Sequence, residues 1–207
     1  MRKIIVSEFV SLDGVMEAPD KWSFRFWNEE TAQYKYDELF ASEALLIGRV
    51  TYLIFAEAWP KMNQKGMIEN VKRAGGDTSA MEADTSGEGG DKFTERMNGI
   101  QKFVVSNTLE KAEWNNSRLI KGDVFGELEK IKHTRGGPIL VEGSAQLVNG
   151  LIKEGLVDEM RLMVFPVVVG SGKHLFGEGL DKTRLKLAKT KKFKTGVVVL
   201  TYKTVKS

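Results

Sequence analysis

The chain opens on a β-branched apolar run, Lys3–Val10, with little alternation between faces. Such a run predicts a central strand buried on both sides. It stops at the turn signal Ser11-Leu12-Asp13-Gly14. A looser stretch, Glu17 to Asn28, holds Pro19, Trp22, Phe24, Phe26 and Trp27. Apolar spacing then predicts a helix over Thr31–Ser42 and a second buried strand at Ala44–Ile47. Gly48-Arg49 ends that strand, and a short helix over Thr51–Ala58 stops at Pro60. From Lys61 to Gly99 the texture changes: Ile68 and Val71 are the only β-branched aliphatics among seven glycines. Gly75 to Gly90 reads as a mobile surface insertion within a broader inserted region at about 64–90. Lys92–Asn98 reads as a short helix returning to the fold.

Regular structure resumes with strands at Lys102–Val105 and Leu119–Ile120 and a helix over Val124–His133. A fifth strand, Pro138–Glu142, ends at Gly143-Ser144, and a helix over Gln146–Glu154 follows. Glu159–Phe165 is a sixth strand, Val167–Gly172 leads into a turn, and Gly196–Tyr202 lies in a long closing strand. Strand and helix alternate through three quarters of the chain, which predicts a mostly parallel α/β sheet with flanking helices. The last two strands have no long helix between them and are expected to close the sheet as an antiparallel pair. A length of 207 residues fits a single domain.

Composition narrows the chemistry. The absence of cysteine excludes disulfides, thiolate metal sites and thiol catalysis, and two histidines, His133 and His174, leave little for a metal. No metal is expected. The net charge of +3 and pI of about 8.9 are only mildly basic, so no nucleic-acid partner is expected. Lys186, Lys189, Lys191, Lys192 and Lys194 read as the solvated faces of a strand and its turn, or as a polyanion patch. The N-terminal apolar run is too short for a signal peptide, and no stretch approaches the ~20 apolar residues that span a bilayer. A cytoplasmic protein without membrane contact is expected.

Three strand ends share one chemical character. Gly48-Arg49-Val50-Thr51 joins glycine, a helix start and a cation, a combination suited to phosphate. Gly143-Ser144-Ala145 repeats small residues and a hydroxyl before a helix. Ser106-Asn107-Thr108 adds three short polar side chains. Since ligands of open α/β sheets bind at the carboxyl ends of strands, these turns point to an extended phosphate-bearing ligand such as a dinucleotide. The G-x-G-x-x-G fingerprint is absent, so the binding mode is of another kind.

The order SLDG, ALLIGRVTY, KFVVSNTL, PILVEGSAQLVNGLIKEGLVDEM and FPVVVGSGKHLF resembles the dihydrofolate reductase superfamily. It is most similar to the branch containing the C-terminal reductase domain of the bifunctional riboflavin-biosynthesis deaminase/reductase. The resemblance covers nearly the whole chain except about Gln64–Gly90. It implies a dihydrofolate-reductase-like fold and an NADPH site. Gly48, Arg49 and Thr51 match the GR-x-T turn for the cofactor's phosphates. Ser106 and Asn107 match the turn facing the adenosine 2′-phosphate, and Gly143, Ser144, Ala145 and Gln146 the turn under the pyrophosphate. Leu12, Asp13 and Gly14 match the turn where nicotinamide and substrate meet.

Two departures separate the chain from folate reductases. With Trp22 aligned on the family tryptophan, the acid position holds Trp27, with Glu29 and Glu30 out of register. Glu142 stands where those enzymes often have a glycine. Little reduction of dihydrofolate is expected. Asp13 is the catalytic candidate, orienting substrate hydroxyls or assisting proton movement, with an Asx-type turn as the alternative. Trp22 is the substrate-wall candidate, with Phe24, Phe26 and Trp27 beside it; a plain core is the alternative. The expected function is hydride transfer from NADPH to a small heterocyclic or imine/carbonyl substrate. The alternatives are 5-amino-6-(5-phosphoribosylamino)uracil reductase of riboflavin biosynthesis and a non-catalytic dinucleotide-binding or interaction protein. A homodimer packing the late strands is expected from the apolar residues Met160, Leu162, Val164, Val167–Val169 and Val197–Leu200.

Overall fold

The computed structural model describes residues 1–83 and 88–205. Eight strands form one sheet: β1 (Ile4–Ser11), β2 (Ala44–Gly48), β3 (Gln101–Val105), β4 (Ser117–Ile120), β5 (Ile139–Val141), β6 (Glu159–Phe165), β7 (Leu185–Lys192) and β8 (Val198–Thr204). Their order is β4-β3-β2-β5-β1-β6-β8-β7. The first six pair in parallel, β8 runs antiparallel to β6, and β7 antiparallel to β8. The mostly parallel sheet with an antiparallel C-terminal end is therefore as the sequence predicts. The lysine-rich run supplies the edge strand β7, nearly all of it exposed. Lysines on an edge strand also deter pairing with another sheet.

The helices are α1 (Glu29–Phe40), α2 (Arg49–Ala58), α3 (Gln64–Arg73), α4 (Ser79–Ala83), α5 (Glu88–Gly99), α6 (Val124–His133) and α7 (Ala145–Lys153). α1 begins two residues earlier than its apolar spacing suggests. Asn28 caps it, its Oδ1 accepting from the Thr31 N–H at 3.1 Å, and Glu29 and Glu30 oppose the positive helix start. One core layer joins β1, β2 and β5 through Val6, Leu46 and Val141 to α6 and α7, which contribute Leu128, Val148 and Leu151. The opposite layer packs Ile5, Leu45, Ile47 and Leu140 against Leu39 of α1, Tyr52 of α2 and Met97 of α5. Successive strand residues thus feed opposite layers, as the pleat requires. A third cluster, Trp22, Met163, Phe165, Phe193, Val197 and Val199, covers the late strands on one side.

The inserted region differs from its sequence reading. It contains α3, α4 and the start of α5; 84–87 lie outside the described residues, so the mobility expected of Gly75 to Gly90 falls partly outside them. Two local features explain α3. Asn63 caps it through a 2.8 Å bond from the Gly66 N–H, and Val71 on its inner face is buried. The following chain is tied back by the Asp77 N–H, which donates to the Trp27 carbonyl at 3.0 Å. Few apolar residues therefore suffice, because the region packs on the fold instead of forming its own core. No helix among the described residues is long and apolar enough to cross a membrane.

If α3 is docked in this way, Val71→Asp forces a carboxylate into a dry contact. We expect a melting temperature lower by roughly 5–10 °C, corresponding to about 2–3 kcal/mol. An unchanged thermal transition would show that the inserted region contributes nothing to the packed fold.

Candidate functional site

β5 has come back in space to lie between β2 and β1, and its register fixes the centre of the site. Val141 pairs with Val6 on one side and Leu46 on the other. Two residues further on, Glu8, Gly143 and Gly48 consequently form a row across three strands. The Gly143 N–H donates to Glu8 Oε1 at 2.6 Å, and the Gly48 N–H donates to the Gly143 carbonyl at 3.0 Å. Gly143 has φ +74°, a left-handed conformation favouring glycine, and a Cβ there would lie 2.8 Å from Thr51 Oγ1. A Cβ on Gly48 would lie 2.8 Å from Ser144 Oγ. The Gly143–Ser144 peptide is cis.

This contact brings two helix starts together. α2 begins after Gly48 and α7 after Ser144, and neither has a side-chain cap. Their first N–H groups are thus left for a ligand, and both dipoles favour an anion. Arg49 is exposed in the first turn of α2, Thr51 is half-buried beside Gly143, and Ala145 and Gln146 open α7. The close packing of Gly48 on Ser144 and of Gly143 on Thr51 sets two uncapped helix starts side by side, an arrangement whose free backbone donors suit an anion. Gly48, Arg49, Thr51, Gly143, Ser144, Ala145 and Gln146 are therefore brought together.

Ser106 and Asn107 sit further out. Val105 pairs with Gly48, so they follow one step beyond it. Ser106 Oγ accepts from the Thr108 and Leu109 N–H groups at 3.2 and 3.0 Å, and Asn107 Oδ1 accepts from the Gly122 N–H at 3.0 Å. These bonds, with a 3.4 Å contact between the Ser106 and Thr108 hydroxyls, shape the turn, and Asn107 and Thr108 are exposed on it.

Asp13 is half-buried at the end of β1. Its Oδ1 accepts from Ser11 Oγ at 2.6 Å and from the Val169 N–H at 3.1 Å, and its Oδ2 accepts from the Gly170 N–H at 2.8 Å. The Ser11 hydroxyl and these two backbone donors hold its carboxyl well below the usual carboxylate range. Asp13 is thus an ionised clasp between β1 and the segment after β6, in place of an Asx-type turn onto Gly14, and it has no proton to donate. The Leu12 N–H donates to the Val167 carbonyl and the Leu175 N–H to the Gly14 carbonyl, closing the same clasp. Leu12 itself is 67% exposed. Trp22 is placed differently from the substrate-wall expectation. It is 8% exposed, meets Phe165 edge-on at 5.5 Å and donates its indole N–H to the Glu17 carbonyl, so it belongs to the core beneath the late strands. Phe24, Phe26 and Trp27 are half-buried, as is Phe9, whose ring lies 5.9 Å from that of Trp27.

A buried ionic network under the site is absent from the sequence reading. Lys35 Nζ of α1 donates to Glu38 Oε2 at 2.6 Å and to Glu142 Oε1 at 2.7 Å. Glu38 also accepts from Ser7 Oγ at 2.7 Å and from Arg161 at 3.1 Å, and Arg161 donates to Glu159 at 2.7 Å. Burial opposes charge on Lys35, but Glu142 and Glu38 outweigh it and hold its pKa above the usual lysine range. Burial likewise opposes ionisation of Glu38, and Lys35, Ser7 and Arg161 pull its pKa below the usual range. Glu8, across the sheet, has no cation in hydrogen-bond contact: burial pushes it up to about 8, with the Gly143 N–H and the more distant Lys35 only partly offsetting the rise. Its position within the apolar run IIVSEFV was the available signal, since a glutamate is rarely buried without a role or partner.

Replacing Lys35 leaves Glu38 and Glu142 buried without their shared cation. We expect Lys35→Met to cost about 3–5 kcal/mol, a fall of roughly 10 °C in melting temperature at neutral pH. Full thermal stability in that variant would mean that the carboxylates are solvated and the network does not exist.

The RibD C-terminal domain family model matches residues 2–199. Two uncharacterised Bacillus subtilis (strain 168) proteins are similar over shorter stretches. YyaP is 37% identical over 102 residues, 49% of this chain and 54% of that protein; YwjB is 44% identical over 64 residues, 31% and 37%. The aligned stretches thus span about half of one relative and over a third of the other. A putative riboflavin biosynthesis protein from Shewanella sp. PV-4 superposes with a TM-score of 0.64 at 20% identity, covering 99% of both chains. A pyrimidine reductase-like protein of Corynebacterium diphtheriae gives 0.63 at 13% identity, covering 100% of this chain and 93% of that one. The riboflavin biosynthesis reductase Rib7 of Saccharomyces cerevisiae gives 0.55 at 16%, covering 99% and 89%. These likenesses establish a shared dihydrofolate-reductase-like fold, and with a family match running almost from end to end, the chain belongs to the RibD C-terminal domain family.

Proposed function

We propose that the protein is a cytoplasmic NADPH-dependent reductase that passes a hydride to a small heterocyclic or imine/carbonyl substrate. The coarser reading, an oxidoreductase of the riboflavin-reductase type, follows from the family. The observation that carries the finer one is the pair of uncapped helix starts pressed together through Gly48 and Gly143. The first N–H groups of α2 and α7 would hold the pyrophosphate, with Arg49 adding charge. Asn107 and Thr108 would face the adenosine end, with Ser106 shaping their turn. NADPH supplies the hydride when bound.

The protein's own residues then orient and exclude. Leu12 and Gly14 would border the nicotinamide end, and Asp13 orients by fixing the segment 166–173 against β1. Because Asp13 stays ionised, it accepts hydrogen bonds from substrate hydroxyls and donates none. Glu142, with Lys35 behind it, is the polar pair adjoining the Gly143 turn and is suited to hold a substrate N–H. No carboxylic acid occupies the Trp27 position, so a pterin ring would lack a nearby proton donor. The second reading, 5-amino-6-(5-phosphoribosylamino)uracil reductase, is favoured by the family and by the riboflavin-related names of its structural neighbours.

A homodimer is part of the proposal. The third cluster covers one side of β6 and β8. On the other side, Leu162 and Val164 of β6 pair with Leu200 and Val198 of β8, and all four are only half-buried. Leu187 of β7 is 51% exposed. A two-fold partner on this face would complete its cover.

Two measurements check these statements. Calorimetry should show NADPH binding more tightly than NADH, with turnover on a ribosylaminopyrimidine or related imine and little on dihydrofolate. Gly48→Val, which crowds Ser144, should weaken binding tenfold or more, about 1.4 kcal/mol, with its circular dichroism unchanged. Equal affinity for the two cofactors would defeat the choice of NADPH, and binding without turnover on any substrate would favour a non-catalytic dinucleotide-binding protein. In light scattering at low micromolar concentration, we expect about twice the 23.2 kDa chain mass; a monomer would leave the Leu162–Leu200 face uncovered and remove the dimer.

A further inference from the structure

Glu8 is 6% exposed and lies one strand from the turn on which both helix starts are set. Its Oε1 receives the Gly143 N–H, and Gly143 in turn receives the Gly48 N–H. One carboxyl group is thereby linked through two hydrogen bonds to the cleft proposed to take a pyrophosphate. The charged groups that act on it, from across the sheet, are Glu142, just before Gly143, and Lys35 and Glu38 on α1. Lys35 is already engaged by Glu38 and Glu142. α7 carries no titratable side chain before Lys153, α2 presents the exposed Arg49, and β6 sets Leu162 opposite Glu8. Burial raises the Glu8 pKa to about 8, with the Gly143 N–H opposing and Glu142 adding to the rise.

We propose that Glu8 is a positioning residue for the dinucleotide pyrophosphate, and that its carboxyl group must carry a proton for tight binding. This rests on the dinucleotide reading above. Both protonation states can accept the Gly143 N–H, so the turn is held in either. They differ in charge. Ionised Glu8 places a poorly screened negative charge directly behind a turn that is to receive a dianion, against the pull of the two helix starts. A neutral Glu8 leaves that pull unopposed. Because coupling is reciprocal, the bound dinucleotide raises Glu8's affinity for its proton. Affinity is therefore full well below pH 8, falls as pH rises through about 8, and levels off only above the higher pKa that Glu8 has in the bound state. In the same window the protein takes up a proton as the ligand binds.

The test is calorimetric titration of the intact protein with NADPH between about pH 7 and pH 9, above the second ionisation of a phosphomonoester near about 6. NADH, which lacks that group, is the second probe. We expect Kd to rise roughly fivefold across this range with both probes, as coupling of about tenfold between the two sites gives. Buffers of different ionisation enthalpy should reveal proton uptake on binding. Glu8→Gln keeps a neutral acceptor for the Gly143 N–H and should bind as the wild type does at low pH, without the slope. Glu8→Leu removes the acceptor and should bind weakly at every pH. If Glu8→Gln does not fold, proton uptake by the unaltered protein decides alone. The same slope in wild type and Glu8→Gln, or no proton uptake near pH 8, overturns the role of Glu8 and leaves the dinucleotide reading standing. Failure of folded wild-type protein to bind either probe at any pH overturns both.

Discussion

The site depends on the close meeting of two strand ends. β2 and β5 finish side by side, and Gly48 and Gly143 approach so closely that a methyl group on either would enter its neighbour's space. That approach draws α2 and α7 together at their N-termini. A helix start leaves backbone N–H groups without partners, and two such starts side by side make a concave set of donors with no charged side chain needed to build it. The sheet sets the spacing, and the glycines let the backbone reach it. Everything assigned to the anion end of the site follows from this contact.

The polar interior beneath that contact is unusual in its balance. On the α1 side, Lys35 and Arg161 are shared among Glu38, Glu142 and Glu159, each link a direct hydrogen bond. Such a network is stable only when complete, since one missing partner strands a buried charge. Its members come from α1, β6 and the end of β5, so it also locks α1 onto the sheet. Glu8 projects to the other side of β1 and receives one backbone N–H. The difference in titration between Glu38 and Glu8 has a simple cause: both are buried, but only Glu38 has cations within hydrogen-bond reach.

Asp13 shows how one side chain can serve fold and site together. Its carboxylate reaches the backbone of Val169 and Gly170, far along the chain, and pins the segment after β6 over the end of β1. Backbone bonds from Leu12 to Val167 and from Met16 to Lys173 hold the same segment on either side of that contact. An acid so fully engaged is a poor proton donor and a good fixed acceptor, and this favours orientation over acid catalysis at that position. The late strands carry a different asymmetry, with buried aromatic cover on one side from Trp22, Phe165 and Phe193, and on the other Leu162, Val164 and Tyr202, which are only partly buried against the main core.

The sequence by itself determined the elements and the three turns. Strand and helix periodicity, and glycine or short polar residues at strand ends, are local properties, and they placed Gly48, Ser106 and Gly143 at the carboxyl ends of their strands. Local pattern failed where apolar content was thin: capping by Asn63 and a single buried face at Val71 made α3 a helix within a region read as loose. The tertiary structure alone decided that β5 lies between β1 and β2. Strand order depends on crossovers and on which faces the helices cover, and no local period carries that information. From this order came the row Glu8–Gly143–Gly48, the pairing of Lys35 with Glu142, and the reach of Asp13 to Val169 and Gly170. Each joins residues distant in sequence, so each side chain's protonation and role became defined only when the sheet brought its partner beside it.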